Sequence, residues 1–185
     1  MENLPSILQS GVLSHTRATN LEHASMADPV VQQIRAGVVV AGGRRLHQYA
    51  NLYINARNPM MYALSMGPNS TQLCVLRISP DVLDLPGVVV TDQNAASGHA
   101  RFSPPSAGLP LLDRDYVFAR YWTHPEDQIA EWRHKAAMCA EVLVPDVVPA
   151  QHILGIYVPT QDGAQAVASV APDIPIEVKS DLFFR

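Results

Sequence analysis

Arg57 and Glu141 are the two side chains of this 185-residue chain whose settings point most directly to chemistry. Arg57 stands between the alternating stretch Asn51-Leu52-Tyr53-Ile54-Asn55, a half-buried strand pattern, and Asn58-Pro59, the cap and first-turn proline of a helix with Met60, Met61 and Leu64 on its apolar face. A guanidinium beside the free N–H groups of a helix start makes an anion site. The same spacing also suits a plain strand-turn-helix with an exposed arginine. Glu141 opens the apolar run Val142-Leu143-Val144-Pro145. A glutamate is unfavourable there unless it faces a cleft or an end, so a reacting carboxylate and a solvated strand terminus are equal readings. On neither reading does Glu141 fill the core, and its replacement by alanine is expected to leave the fold intact. His47 and His99 read as ordinary polar residues, and Asp92 and Asp113 as turn formers. There is no GxSxG elbow, Cys–His pair, CxxC pair or metal-ligand spacing of histidines, which leaves hydrolysis by an activated nucleophile and metal chemistry without support.

The elements that must position these residues follow from local pattern. Asn3–Gly11 reads as a short helix with Asn3 as cap, Pro5 in the first turn and Gly11 as its C-terminal stop. His15–Ala27 is polar and aperiodic, hence loop. Asp28-Pro29 starts a second helix, the apolar run 38–41 follows it, and Gly42-Gly43-Arg44-Arg45 is a turn without the lysine or spacing of a phosphate-binding loop. Strands are expected at Leu73–Ser79, Gly87–Thr91, Glu141–Pro145, Ile153–Val158 and Ile174–Val178, with a single helical turn at Ser79-Pro80-Asp81. Ala95–Leu112, rich in proline, glycine and serine, reads as a mobile loop of unusual length. Pro125–Ala140 is the longest helix, with Ile129, Trp132, Ala136 and Cys139 as its apolar face and Glu131–Lys135 as an i,i+4 ion pair. Asp162–Val170 is a small helix closed by Pro172. Strands and short helices mix without a βαβ repeat, so the expected class is α+β in one domain over residues 1–185.

Hydrophobic residues make up 48% of the chain and charged residues 16%, a globular balance. No apolar run approaches the ~20 residues of a membrane span, no signal peptide precedes the first helix, and Cys74 and Cys139 are isolated, so a reducing cytoplasm is the expected setting. The net charge of −4 argues against a coat for long nucleic acids. It is unevenly spread: residues 1–64 carry +2 and residues 65–185 carry −6. A polyanion would meet mainly Arg17, Arg35, Arg44, Arg45 and Arg57.

Five blocks, in order, resemble the DarT family of DNA ADP-ribosyltransferase toxins. They are Asn3-Leu4-Pro5-Ser6-Ile7-Leu8 with Gly11; Ala27-Asp28-Pro29-Val30-Val31-Gln32; Leu46-His47-Gln48-Tyr49 through Tyr53-Ile54-Asn55-Ala56-Arg57-Asn58-Pro59-Met60-Met61-Tyr62; Thr91-Asp92-Gln93-Asn94-Ala95; and Ala140-Glu141-Val142-Leu143-Val144. The resemblance implies an ADP-ribosyltransferase-like fold, two small split sheets around an NAD cleft with short flanking helices. It implies transfer of ADP-ribose from NAD to a base of single-stranded DNA, thymine in most of the family and guanine in a related branch, without a metal. It makes Glu141 and Arg57 the catalytic pair, and places NAD contacts at Arg57, His47, Tyr53, Asn55 and Tyr62. The expected DNA-facing residues are Arg44, Arg45, His99 and Arg101, and the expected partner is a macrodomain-type antitoxin, DarG-like, that removes the modification. The family pattern also has a strand ahead of the Asn-Leu pair, bearing an NAD-contacting histidine; Met1 and Glu2 stand there, from which a weaker hold on NAD is expected. Gln48 replaces a frequent aspartate, and Asp113-Arg114 an aspartate-tryptophan pair. Transfer to RNA or protein, and a weakened remnant that binds NAD or nucleic acid, are the alternatives.

Overall fold

A computed structural model describes residues 1–40 and 42–185. In chain order the helices are α1 (Leu4–Ser10), α2 (His15–Ala18), α3 (Pro29–Gly37), α4 (Pro59–Ser65), α5 (Pro105–Gly108), α6 (Arg114–Val117), α7 (Gln128–Met138) and α8 (Gln161–Ala168). The strands are β1 (Val12–Leu13), β2 (Tyr49–Tyr53), β3 (Val75–Ile78), β4 (Val89–Thr91), β5 (Phe102–Ser103), β6 (Glu141–Pro145), β7 (Val147–Val148), β8 (Ile153–Val158) and β9 (Ile176–Val178). The expected α+β class is what forms. The described residues make three sheets rather than two: β1-β7, β2-β6-β4-β5 and β3-β8-β9.

The four-stranded sheet is antiparallel throughout and is the frame of the molecule. Alternation sorts its residues. Ala50, Val88, Val90, Val142 and Val144 point to one face and form a core with Val82 and Val148. Tyr49 and Leu143 point to the other and pack against Val40, Leu46 and Ala95. The three-stranded sheet builds a separate core, in which Ile156 and Val158 meet Leu4 of α1 and Val167 of α8. Gly11 stops α1 at φ 82°, and a Cβ there would strike the Val148 carbonyl, so only glycine lets β1 lie against β7.

Several elements depart from local expectation. Asn3 does not cap α1; its amide clamps the backbone of Ala24, donating to the carbonyl at 2.8 Å and accepting from the N–H at 2.9 Å. Ser14 caps a short α2 inside the expected loop. The expected mobile loop 95–112 is ordered, because β5 pairs with β4 and α5 follows at once. β2 runs two residues earlier than the alternation suggested. Asn55 leaves the strand because its Oδ1 accepts the Arg57 N–H at 3.0 Å and its amide donates to the Val117 carbonyl at 2.8 Å. The expected apolar face of α7 is split: Ile129 and Trp132 are exposed, whereas Cys139 is buried together with His134 and Met138. The Glu131–Lys135 pair forms at 2.7 Å. Among the described residues no helix is long and apolar enough to cross a membrane.

Candidate active site

Glu141 is the first residue of β6 and lies opposite Tyr53, the last residue of β2. Directly paired residues share a face, so Glu141, Tyr53 and Asn51 all look toward the side closed by α3 and the turn after β4. Glu141 is 1% exposed, neither on an open cleft nor at a solvated end. Its carboxylate is bound instead by Arg35 of α3, which is 7% exposed, through two parallel bonds: Nη1 to Oε1 at 3.1 Å and Nη2 to Oε2 at 2.8 Å. The Ala95 N–H donates to Oε1 at 2.8 Å and the Asn51 amide to Oε2 at 2.9 Å. Thr91, ending β4, accepts the Glu141 N–H on its hydroxyl at 3.0 Å. Three segments thus converge on the carboxylate, α3, the turn after β4 and β2, while Thr91 holds the backbone of the same residue.

The electrostatics follow from that enclosure. Burial opposes charge on Arg35, but its bonds to Glu141 and that residue's charge more than offset this, and its pKa is raised. Burial and the Glu141 charge push the Tyr53 phenol up, so it stays a neutral hydroxyl; its ring remains half-exposed, with its hydroxyl 3.1 Å from the Met60 sulfur. Cys139 is pushed up to about 12 by burial, with the Glu141 charge adding to it, which makes the thiol inert as a nucleophile.

Arg57 is elsewhere engaged. Its Nε donates to the Asp181 carbonyl at 3.1 Å, its Nη1 to the Arg120 carbonyl at 2.7 Å, and its guanidinium lies 4.0 Å from the centre of the Phe184 ring. Asn58 caps α4 as expected, accepting from Met61 N–H, so the local strand-turn-helix forms while its arginine fastens the C-terminal turn. Tyr62 belongs to the same assembly, edge-on to Trp122 and Phe184 at 5.7 and 5.2 Å. His47 stacks on His15 at 4.0 Å with Nε2 enclosed and unpartnered; desolvation, then His15 and Arg35, lower its pKa.

The arginines expected to face DNA divide by sheet end. Arg101 bonds Asp92 at 2.6 Å, one residue beyond Thr91, which puts it and the exposed His99 at the Glu141 end. Arg44 pairs with Asp146 at 2.9 Å, and with the exposed Arg45 it lies at the opposite end of β6, roughly 13 Å along the strand from Glu141. A cavity of about 190 Å³ is lined by Asn3, Ser6, Gly11, Leu13, Leu21 and His23. A groove at the Arg44 end includes Tyr49, Pro105 and Pro145. Neither is lined by Glu141 or Arg35.

A family model described as ssDNA thymidine ADP-ribosyltransferase, DarT, matches residues 1–184. The chain belongs to the DarT family. It is 28% identical over its full length to a DNA ADP-ribosyl transferase–DNA ADP-ribosyl glycohydrolase fusion protein of Thermosipho africanus, of which it spans 47%. It is 30% identical to a DNA ADP-ribosyl transferase of Thermus sp., with 95% of this chain and 85% of that protein aligned. The structure of Thermus sp. 2.9 DarT in complex with ADP-ribosylated ssDNA superposes with a TM-score of 0.87 at 25% identity, covering 98% of this chain and 91% of that one. The same protein in complex with carba-NAD+ gives 0.78 at 25% identity, with 98% and 92% covered.

Within this DarT fold, the residues singled out from sequence do not form one group. Glu141 and Tyr53 come together; Arg57, Asn55 and Tyr62 form a second cluster around the C-terminal turn; Arg44 and Arg45 form a third. In the sequence Arg35 is one of five N-terminal cations, Asn51 a position in an alternating strand and Ala95 the first residue of the 95–112 loop. The one sequence hint for Arg35 was a lone cation in the otherwise uncharged helix 29–37.

Proposed function

We propose that this chain transfers ADP-ribose from NAD to thymine in single-stranded DNA, with nicotinamide released, and that Glu141 is the catalytic carboxylate with Arg35 as its partner. The observation that carries this is the buried Arg35–Glu141 pair at the end of β6 in a DarT chain. The C1′–nicotinamide bond breaks with its electron pair leaving on nicotinamide, a bond from C1′ to a base nitrogen forms, and the proton of that nitrogen passes to water. Positive charge grows on the ribose as the bond breaks, and a fixed carboxylate beside the sugar stabilises it without reorganising. Arg35 holds that carboxylate in orientation through its two parallel hydrogen bonds. Asn51 and Tyr53, the exposed residues of β2 on this face, border the buried carboxylate.

Arg57 is assigned a structural role, because its Nε and one Nη1 N–H are held by the Asp181 and Arg120 carbonyls and its guanidinium lies over the Phe184 ring, all away from Glu141. Of the expected DNA-facing residues, His99 and Arg101 share the Glu141 end and are kept as DNA contacts, whereas Arg44 and Arg45 are not. A target base must be unpaired to reach an enclosed carboxylate, which makes single-stranded DNA the fitting acceptor. Among the described residues no group of three potential metal ligands comes together, and no role is given to a metal. The fused glycohydrolase of the Thermosipho relative supports a DarG-like partner that removes the modification. We place the activity in one domain, residues 1–185, working in the cytoplasm, where the free thiols of Cys74 and Cys139 stay reduced.

The test is to incubate the protein with NAD and, in parallel, single-stranded DNA, duplex DNA, RNA and a protein extract, and to follow added ADP-ribose mass. Mass gain on thymine of single-stranded DNA is expected. Gain confined to RNA or protein would contradict the acceptor, and NAD binding without any transfer would contradict the activity.

A further inference from the structure

A carboxylate has two oxygens and about four lone-pair positions, and protein donors take all of those on Glu141. Oε1 accepts from Arg35 Nη1 and the Ala95 N–H, and Oε2 from Arg35 Nη2 and the Asn51 amide. The activity proposed above brings a ribose to this carboxylate, so a sugar hydroxyl that donates to it must displace one of the four. They are not equally removable. Two belong to a single buried guanidinium, and freeing either strips a buried cation of a partner. The third is the backbone N–H of the fully buried Ala95, in a turn anchored by the Asn94 N–H on the Ala136 carbonyl at 2.9 Å. No side-chain rotation moves it. The fourth is a neutral amide on an exposed residue of β2. Turning about its side-chain torsions carries it into water and leaves nothing buried unpaired.

We infer that the Asn51 amide holds the Oε2 position that the nicotinamide-ribose 2′-hydroxyl takes, so that substrate entry exchanges one donor for another on a carboxylate that never goes unpaired. The inference rests on the NAD-dependent reading above. Asn51 is then a positioning residue, and each binding event pays for breaking its bond to Glu141. The exchange also fixes the direction of approach. β2 is an edge strand of the sheet order β2-β6-β4-β5, and Asn51 and Tyr53 are its exposed residues on the Glu141 face, so the ribose arrives over β2. The β4 side is closed by Ala95 and Thr91, both buried.

The experiment compares dissociation constants of NAD and of an NAD analogue with hydrogen in place of the nicotinamide-ribose 2′-hydroxyl, by calorimetry, in the wild type and in Asn51→Ala. Only the natural substrate undergoes the exchange. Its advantage over the deoxy analogue is therefore expected to be about three- to tenfold larger in the variant than in the wild type, with the analogue binding both proteins alike. An equal advantage in the two proteins overturns the exchange. Should Asn51→Ala fold poorly, Asn51→Ser, whose hydroxyl is too short to reach Oε2, carries the same comparison. A wild type that binds neither compound would overturn the NAD reading itself, a result distinct from equal ratios.

Discussion

The two ends of β6 carry the same chemistry in opposite surroundings. At one end Arg35 meets Glu141 at 2.8 Å with side-chain exposures of 8% and 1%; at the other Arg44 meets Asp146 at 2.9 Å with 38% on both sides. Distance does not distinguish them. The exposed pair exchanges hydration for contact at almost no net gain, about 0–1 kcal/mol. The buried pair loses far more hydration, and every lone pair of Glu141 is matched by a donor in return. Hydrophobic side chains of the same volume would serve stability as well or better. A pair kept in so costly a setting points to chemistry, and burial with a complete donor set is the mark that separates it from an ordinary surface contact.

Glu141→Ala should break this comparison most severely. Transfer should fall by about a thousandfold or more, as when a preorganised charge partner is removed, and the fold should weaken by about 3–5 kcal/mol because Arg35 is left unpaired. Sequence had suggested that the fold would be indifferent to this change; the burial of both partners reverses that expectation. Urea unfolding alongside the transfer assay checks it, and an unaltered midpoint would show the pair to be solvated. Replacing both partners, Arg35→Met with Glu141→Leu, should recover part of that stability, the remainder being lost because the buried Ala95 N–H no longer has an acceptor, and none of the transfer. Recovery of neither would mean that the site depends on polar contacts for its shape.

Smaller effects come from the histidines. Burial holds His134 below the ordinary 6.5, and desolvation with the neighbouring His15 and Arg35 does the same for His47. The unfolded chain then takes up protons first as the pH drops. The stability these rings contribute is whole above about pH 6.5 and is lost toward their depressed folded values. Tm should therefore be lower at pH 5.5 than at 7.5, and His134→Gln should flatten part of the slope; a slope unchanged in that variant would assign it to other groups. The smallest effect is expected at the far end of β6. Arg44→Ala should cost no more than about 1 kcal/mol and leave the transfer rate within about twofold, and a larger loss of transfer would bring that end into the DNA path.

What was legible in sequence was local. Asn58-Pro59 starts α4, Gly11 stops α1, and Glu141 opens a strand it has no packing reason to open. Arg35 was not legible because its partner lies 106 residues away, and because α3 inverts the usual rule. Val30 and Ile34 are exposed while an arginine is the helix's one buried residue. Apolar periodicity locates the wrong face of such a helix, and it fails in part for α7, where Ile129 and Trp132 are exposed while His134, bonded to His124 at 2.9 Å, is buried. The 95–112 segment read as loop because composition reports turns, whereas β5 exists only through its pairing with β4.

The central claim is that Arg35, and not Arg57, completes the reaction centre with Glu141. It is tested most directly by single-turnover transfer of ADP-ribose to a thymine-containing single-stranded oligonucleotide, comparing Arg35→Gln with Arg57→Gln at equal concentrations of folded protein. The account predicts a loss of about a hundredfold or more for Arg35→Gln and a rate within about tenfold of wild type for Arg57→Gln. The reverse order, with Arg35→Gln active and Arg57→Gln silent, would contradict it.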